Sequence, residues 1–338
     1  MKKYFFILVA AAALAACAKN EVTPVLSQEN TEIAYNVAPK TKALDPTKHE
    51  NFATDNVFAS WAFYLPKDQT WAANSATSQP YIVNSTISHK DGTWKDQNKS
   101  YYWPKDGGSL TFLAYSLNKG NLTLAGTDSH FNCTNTHGIN GAIDLAANKN
   151  TDFLVAEIAA DKTANENQYV FNGVPTLFKH KLSRVACTVK KAADYADKKF
   201  ELKEINFLNV VTYGTYGQLP TESFNAGTVK HDQVYTNAVQ EITTTAASVA
   251  AEDVVIYMPQ TFEDATAKIQ VKYTVTTTVG TGSVVENCVK EISINSKFDE
   301  WAMGKKYTFN LTFALDEIKW DPAVEKWEDA TAADVTIQ

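Results

Sequence analysis

The chain has 338 residues, with 38 acidic against 31 basic side chains and a formal net charge of −7 at pH 7. An excess of negative charge argues against binding to nucleic acid or to anionic lipid surfaces. The length is enough for two domains of ordinary size. Beyond the N-terminal segment no apolar stretch is long enough to cross a membrane, so the sequence predicts a soluble body.

The N-terminus is typical of an export signal. Two lysines precede an apolar run over residues 4–13, and the sequence Leu-Ala-Ala leads to Cys17. This segment resembles the bacterial lipobox, in which the signal is removed before the cysteine and the thiol is acylated. We therefore expect a lipoprotein signal peptide over residues 1–16, a lipid on Cys17 and a flexible tether over residues 17–30. An ordinary secretory signal with a chance cysteine is the alternative.

The residue pattern over 30–37 predicts the first strand. Isoleucine, tyrosine and valine alternate here with polar or small residues, so one face is apolar and could fill a sheet edge. Lys40 and Lys42 follow in a Pro-Lys-Thr-Lys-Ala stretch that predicts an exposed linker, a preferred site of proteolysis. We expect cleavage at Lys40 or Lys42 to make the strand removable. The alternative is a permanent first strand with an uncut linker.

Alternation with a period of two residues dominates the remaining chain and predicts half-buried strands. The clearest runs are Leu110–Ala114, Ile269–Val275 and Tyr307–Leu315. Turn signals separate such runs at Asp91-Gly92, Asp106-Gly107-Gly108 and Asn172-Gly173. Helical periodicity is scarce, and residues 191–199 are the best short helix candidate.

Many short strands joined by polar turns predict an all-β chain built from antiparallel β-sandwiches. The chain is too long for one sandwich, and a fresh alternating run begins after Pro175. We therefore expect an N-terminal β-sandwich domain over residues 31–180 and a C-terminal one over residues 181–338.

No catalytic signature is present, which predicts a protein that is not an enzyme and needs no cofactor. His130, Cys133 and His137 have a spacing that could offer three metal ligands, but structural zinc usually has four, so we expect a plain loop and no metal. Cys187 and Cys288 are predicted to face inward on strands as small buried side chains. A bridge between those two thiols is left open.

Tryptophans crowd the first half of the chain and raise the possibility of stacking on sugars. The residues in question are Trp61, Trp71, Trp94 and Trp103. In a β-sandwich, aromatic side chains mostly fill the core, and we expect the same here.

Several segments, in their order along the chain, resemble the fimbrillin family of Bacteroidetes surface lipoproteins. They are Lys40–Ala43, Tyr101–Pro104, Leu110–Tyr115, Asp152–Ala156, Phe178–Val185, Trp301–Tyr307 and Ile318–Trp320. The resemblance implies two transthyretin-like Greek-key β-sandwich domains in tandem. It also implies a fimbrial subunit that is exported as a lipoprotein to the outer membrane and cell surface. There a protease removes the N-terminal strand, and a strand from a neighbouring subunit, of the same or a paralogous chain, fills the groove. The resemblance implies processing after an arginine, but the only arginine of this chain is Arg184. Lys40 or Lys42 would therefore serve as the cleavage position, or a different protease would act.

The acidic tail after Leu315 is the predicted donor strand. Its alternating apolar residues are Ile318, Trp320, Val324, Val335 and Ile337. Pro322 interrupts the first run and predicts two short strands rather than one. The alternative is a tail that folds back as the last strand of its own domain.

The leading interpretation is therefore a structural subunit of a bacterial fimbria (pilus) that contributes to adhesion. Its partners would be other subunits, the outer membrane through the lipid, and a host or bacterial surface ligand. A monomeric lipid-anchored surface protein that binds a glycan or a host ligand is the alternative.

Overall fold

The computed structural model describes residues 31–37, 52–168, 171–251, 255–315 and 317–326. In these ranges the first strands are β1 Tyr35–Val37, β2 Val57–Leu65, β3 Gln79–Lys90, β4 Thr93–Asp96, β5 Ser109–Ser116, β6 His130–Thr134, β7 Gly138–Asp144, β8 Leu154–Ala156, β9 Ala159–Lys162, β10 Glu166–Gln168, β11 Phe171–Thr176, β12 Phe178–His180 and β13 Ser183–Lys191. They continue as β14 Lys198–Val211, β15 Tyr213–Gly217, β16 Ser223–Ala226, β17 Lys230–Thr236, β18 Gln240–Ile242, β19 Ala247–Ser248, β20 Ile256–Tyr257, β21 Gln260–Thr261, β22 Lys268–Val279, β23 Gly282–Ser293, β24 Glu300–Trp301, β25 Lys305–Phe313 and β26 Ile318–Lys326. One helix, α1, spans Trp71–Asn74, and 3₁₀ turns span Ser75–Thr77 and Ile294–Ser296.

The all-β prediction is confirmed. The largest sheet has the order β10-β11-β1-β4-β3-β2-β5-β8-β12, with β9 also paired to β5. A four-stranded sheet has the order β16-β15-β7-β6, and β21 pairs with β24. Two further sheets have the orders β19-β13-β25-β26 and β17-β14-β22-β23, with β20 on β13 and β18 on β14. Most ladders are antiparallel, but β1 runs parallel to β11 and β13 runs parallel to β25.

Three apolar cores hold the sheets together. The N-terminal core includes Tyr35, Phe58 and Phe112, and its members on strands all come from the largest sheet, which folds over so that its own strands face one another. The C-terminal core lies between the β13/β25 sheet and the β14/β22 sheet, as in a sandwich. Its members include Phe309 and Phe207.

A middle core combines strands from both sides of the predicted domain boundary. It includes Trp61 on β2, Ile139 on β7 and Tyr216 on β15. In the same region β7 and β15 are neighbours in one sheet. The described residues from Glu32 onwards form one compact unit by their contacts, and the division into domains 31–180 and 181–338 stays a prediction.

Four local predictions differ from the structure. His130 and Cys133 lie on strand β6 rather than in a plain loop. Residues 192–197 form bends and a turn between β13 and β14 rather than a helix. Asn172 and Gly173 lie inside β11 rather than in a turn, whereas Asp91-Gly92 does form the turn between β3 and β4. Strand β26 continues through Pro322 as one strand, because it lies at the sheet edge, where a missing N–H can face away from the ladder. No helix in the described residues is long and apolar enough to cross a membrane.

Candidate functional site

Strand β1 is an internal strand of the largest sheet. On one side it pairs in parallel with β11, through Tyr35 to Val174 and Val37 to Thr176. On the other side Tyr35 is paired with Trp94 of antiparallel β4. The sequence predicted a strand at a sheet edge, whereas the structure places it between two neighbours. Loss of β1 would therefore leave unpaired backbone groups on both sides of a gap.

The alternating side chains of this segment point into the N-terminal core. Ile33, Tyr35 and Val37 are 3%, 2% and 1% exposed. The Tyr35 ring packs edge-on against Phe58, with centroids 5.3 Å apart, and against Phe112 at 5.8 Å. The predicted apolar face is confirmed, and it fills the core rather than a surface groove.

The hydroxyl group of Tyr35 is also buried and has a polar partner. It donates a hydrogen bond to Ser60 Oγ at 2.9 Å. Burial raises the pKa of Tyr35 well above its usual value, so the phenol stays neutral at any physiological pH. The ring therefore combines a large apolar contact with one directional contact, and both fix the register of β1.

Asn165 clamps the start of the segment from a distant part of the chain. Its Nδ2 donates to the Glu32 carbonyl oxygen at 2.9 Å, and its Oδ1 accepts from the Ala34 N–H at 3.3 Å. The same Oδ1 accepts from Trp103 Nε1 at 3.0 Å. Asn165 could not be identified from the sequence, because nothing marks a loop asparagine 131 residues from Ala34 as its partner.

Glu32 anchors the segment at the surface. Its carboxylate pairs with Lys95 Nζ at 2.8 Å and accepts from Ser100 Oγ at 2.6 Å. The hydrogen bonds from Lys95 and Ser100 hold the pKa of Glu32 below its usual value, so the carboxylate is charged at neutral pH. The Ile33 N–H donates to the Tyr101 carbonyl oxygen at 2.7 Å. This bond also attaches the segment to the loop after β4, which contains Ser100 and Tyr101.

Gly173 allows β11 to approach β1 closely. A Cβ atom at this position would lie 2.5 Å from the Tyr35 carbonyl carbon and 2.6 Å from the Ala34 carbonyl oxygen. Both atoms belong to the backbone of the β1 segment, so a flexible side chain could not move aside to make room. The glycine is required by the seated strand and not by a turn.

The other proposed partner in strand exchange, the tail, begins with an edge strand. β26 pairs antiparallel with β25 over its whole length, with Ile318 opposite Phe313 and Val324 opposite Tyr307. Ile318 is half-buried against the C-terminal core, and Val324 is 53% exposed. In this structure residues 318–326 thus take the fold-back arrangement that sequence analysis kept as an alternative.

Several predicted site residues lie outside the described residues. They are Cys17, Lys40, Lys42, Val335 and Ile337. Cys187 is buried on β13, Cys288 is half-buried on β23, and the two thiols are free rather than bridged. The described ranges contain no group of three or more His, Cys, Asp or Glu side chains that could hold a metal ion.

The expectation for the tryptophans is confirmed, since all four belong to the core. Trp61, Trp71, Trp94 and Trp103 are buried. They therefore offer no exposed platform for a sugar ring.

Comparison with known families gives two matches. Residues 25–327 match a family model described as "Fimbrillin-like". Residues 1–18 match the "Prokaryotic membrane lipoprotein lipid attachment site". A comparison with curated proteins finds no match to the sequence.

Solved structures show the same fold. A fimbrial protein from Bacteroides vulgatus, 18% identical, aligns with a TM-score of 0.68 over 88% of this chain and 100% of its own. A candidate cell adhesion protein from Bacteroides uniformis, 16% identical, aligns with a TM-score of 0.53 over 89% of this chain and 99% of its own. At these low identities the two solved structures show a shared fold only. The family model, by contrast, matches the sequence itself over residues 25–327. The chain is therefore a member of the fimbrillin-like family.

Proposed function

We propose that this protein is a structural subunit of a surface fimbria that is assembled by strand exchange after proteolysis. The observation that carries the proposal is the position of β1, an internal strand whose backbone pairs on two sides and whose apolar side chains fill a core. Removing it would leave a groove with open hydrogen-bonding edges and vacant apolar sites. A strand of a second subunit would restore both sets of contacts.

In the same proposal, cleavage at Lys40 or Lys42 triggers the exchange. Both lysines follow Val37 within five residues, so one cut there separates β1 from the rest of the chain. The tail supplies the donor strand, with Val335 and Ile337 as its last alternating apolar pair. Backbone pairing would give generic affinity, and the alternate side chains would set the register.

Mild trypsin treatment of the purified precursor tests this maturation step. We expect cleavage at Lys40 or Lys42, followed by polymers that increase with protein concentration and run as a ladder in unheated gel electrophoresis. The double variant Lys40→Ala/Lys42→Ala should stay monomeric under the same treatment. A cut protein that remains monomeric, or polymers formed by the uncut double variant, would contradict the proposal.

A truncation assigns the donor in the same assay. Deletion of residues 330–338 should leave the unfolding temperature near that of the full chain but abolish elongation after cleavage. If the truncated protein still polymerises normally, the far C-terminal segment is not the donor. A clearly destabilised monomer would instead show that these residues complete the fold of their own chain.

The lipid anchor is the second part of the proposed route to the surface. We propose that Cys17 is acylated and holds at least the precursor on the outer membrane, because the match to the lipid attachment site ends next to it. Cys17→Ser should abolish the incorporation of labelled palmitate in growing cells, whereas Cys288→Ser should leave it unchanged. Continued labelling of Cys17→Ser would rule out this residue as the attachment point.

A further inference from the structure

Strand β23 forms a long open edge of the C-terminal half. It spans Gly282–Ser293 and pairs with β22 along its whole length. In the described part of the chain no strand pairs with its other side, since it ends the sheet order β17-β14-β22-β23. Val284, Val285 and Val289 on this strand are 62%, 57% and 56% exposed. An exposed edge of this length with apolar side chains is a template for pairing with another strand.

Two charged side chains on the open edge of this sheet lack an ion-pair partner in the described residues. On β14, β22 and β23, nearly every charged side chain has a hydrogen bond or ion pair with a neighbour. The paired residues are Lys198, Lys199, Glu201, Lys203, Glu204, Lys268, Lys272 and Glu291. Glu286 and Lys290 are exposed on β23 and have no ion pair with another residue of the described ranges.

Glu286 and Lys290 cannot satisfy each other within one chain. They lie on the same face of β23, four residues apart, which is about 13 Å along an extended strand. Two copies of β23 in antiparallel orientation can bring them together. If Cys288 lies opposite Cys288 of the second copy, each Glu286 lies opposite a Lys290, with Cβ atoms about 5 Å apart.

Only this register pairs both charges. A shift of the centre to residue 287 places Glu286 opposite Cys288, and a shift to residue 289 places it opposite Ile292. Parallel pairing in register would place each charge opposite its own kind. The register centred on residue 288 also sets Val284 opposite Ile292 and places Val285 diagonally across from Val289 on the other face.

We propose that β23 is a self-association edge, which pairs antiparallel with β23 of a second copy of this chain in the register centred on Cys288. The contact is two-fold symmetric and closed, so it joins two subunits side by side and does not extend into a chain. It uses neither β1 nor the tail and goes beyond the proposed end-to-end assembly. The uncleaved precursor therefore suffices to test it.

The test is charge reversal and charge exchange across the edge, measured by sedimentation equilibrium under reducing conditions. Reductant prevents opposed Cys288 thiols from bridging. We expect the Cys17→Ser precursor, which carries no lipid, to form a dimer. Lys290→Glu replaces two attractions by two repulsions and should weaken the dimer about tenfold or more. The exchange variant Glu286→Lys/Lys290→Glu should restore it.

A control separates this effect from net charge. Lys105→Glu changes the charge by the same amount on an exposed loop and should leave dimerisation unchanged. A precursor that stays monomeric, a Lys290→Glu variant that dimerises normally, or an exchange variant that fails to recover would each overturn the proposal. Loss of the dimer on deletion of residues 327–338 would assign the edge to the tail instead.

Discussion

Replacement of Tyr35 by alanine is expected to lower the free energy of unfolding by roughly 3–5 kcal/mol, as for other large aromatic side chains removed from a core. The ring is almost completely buried between Phe58 and Phe112, and its loss leaves a cavity that the surrounding sheet can only partly close. Urea unfolding of the uncleaved precursor measures the change.

Two variants act as controls for this prediction. Tyr35→Phe keeps the ring and removes only the hydrogen bond to Ser60, so its cost should be about 1 kcal/mol. Val324→Ala truncates an exposed valine on edge strand β26 and should change stability by less than about 0.5 kcal/mol. If Tyr35→Ala behaved like Val324→Ala, the segment would not be part of the folded core.

The strand content could be predicted because alternation with a period of two follows directly from which side chains are buried. The runs around Leu110, Ile269 and Tyr307 lie in β5, β22 and β25. The helix α1 gave no periodic signal because four residues make little more than one turn. The segment between β13 and β14 has helix-forming residues, but within residues 192–197 only Tyr195 packs against the C-terminal core, which is too little to hold a helix there.

The apolar face of β1 was visible in the sequence, but its internal position was not. Position in a sheet depends on partners such as Val174 and Trp94, which lie far away in sequence. The sequence pattern Asn172-Gly173 shows the same limit. It has the composition of a turn, yet the glycine lies within β11, where the absence of a side chain lets the backbone of β1 approach closely. Local composition cannot distinguish these two reasons for a glycine.

Two of the segments that carried the family resemblance meet in the core. His180 Nδ1 lies 2.7 Å from the Asp152 carboxylate, and the side chains of both are buried. Phe178 on β12 pairs with Ala156 on β8 next to them. Two of the motifs, separated by more than 20 residues, are thus two sides of one contact. The resemblance was informative because such buried contacts restrict which residues fit.

Gly173→Ala is expected to release β1 without any proteolysis. The added methyl group would overlap the backbone at Ala34 and Tyr35, and overlaps of this kind cost about 1–3 kcal/mol or more in a packed interior. The backbone of Gly173 does not have a positive φ angle, so alanine is compatible with β11 itself. The substitution therefore penalises only the state in which β1 is seated.

Hydrogen exchange at two amides reports whether β1 is seated in the sheet. The Val174 N–H donates to the Ala34 carbonyl oxygen at 2.8 Å, and the Ile33 N–H donates to the Tyr101 carbonyl oxygen at 2.7 Å. Both amides should exchange much faster in Gly173→Ala than in the unsubstituted chain, while amides in the C-terminal core keep their protection. Gly217→Ala is the matched control, because a Cβ atom at this strand position meets nothing within 4 Å.

The double variant Tyr35→Ala/Gly173→Ala decides whether both substitutions act through β1. If each one weakens the seating of the same strand, the second adds little once the first has released it. The combined loss of stability should then be smaller than the sum of the single losses. Additive losses, or unchanged exchange at residues 33 and 174 in Gly173→Ala, would mean that β1 does not respond as one removable strand. The proposed strand exchange would then lose its physical basis, because it requires that β1 can leave while the rest of the fold remains.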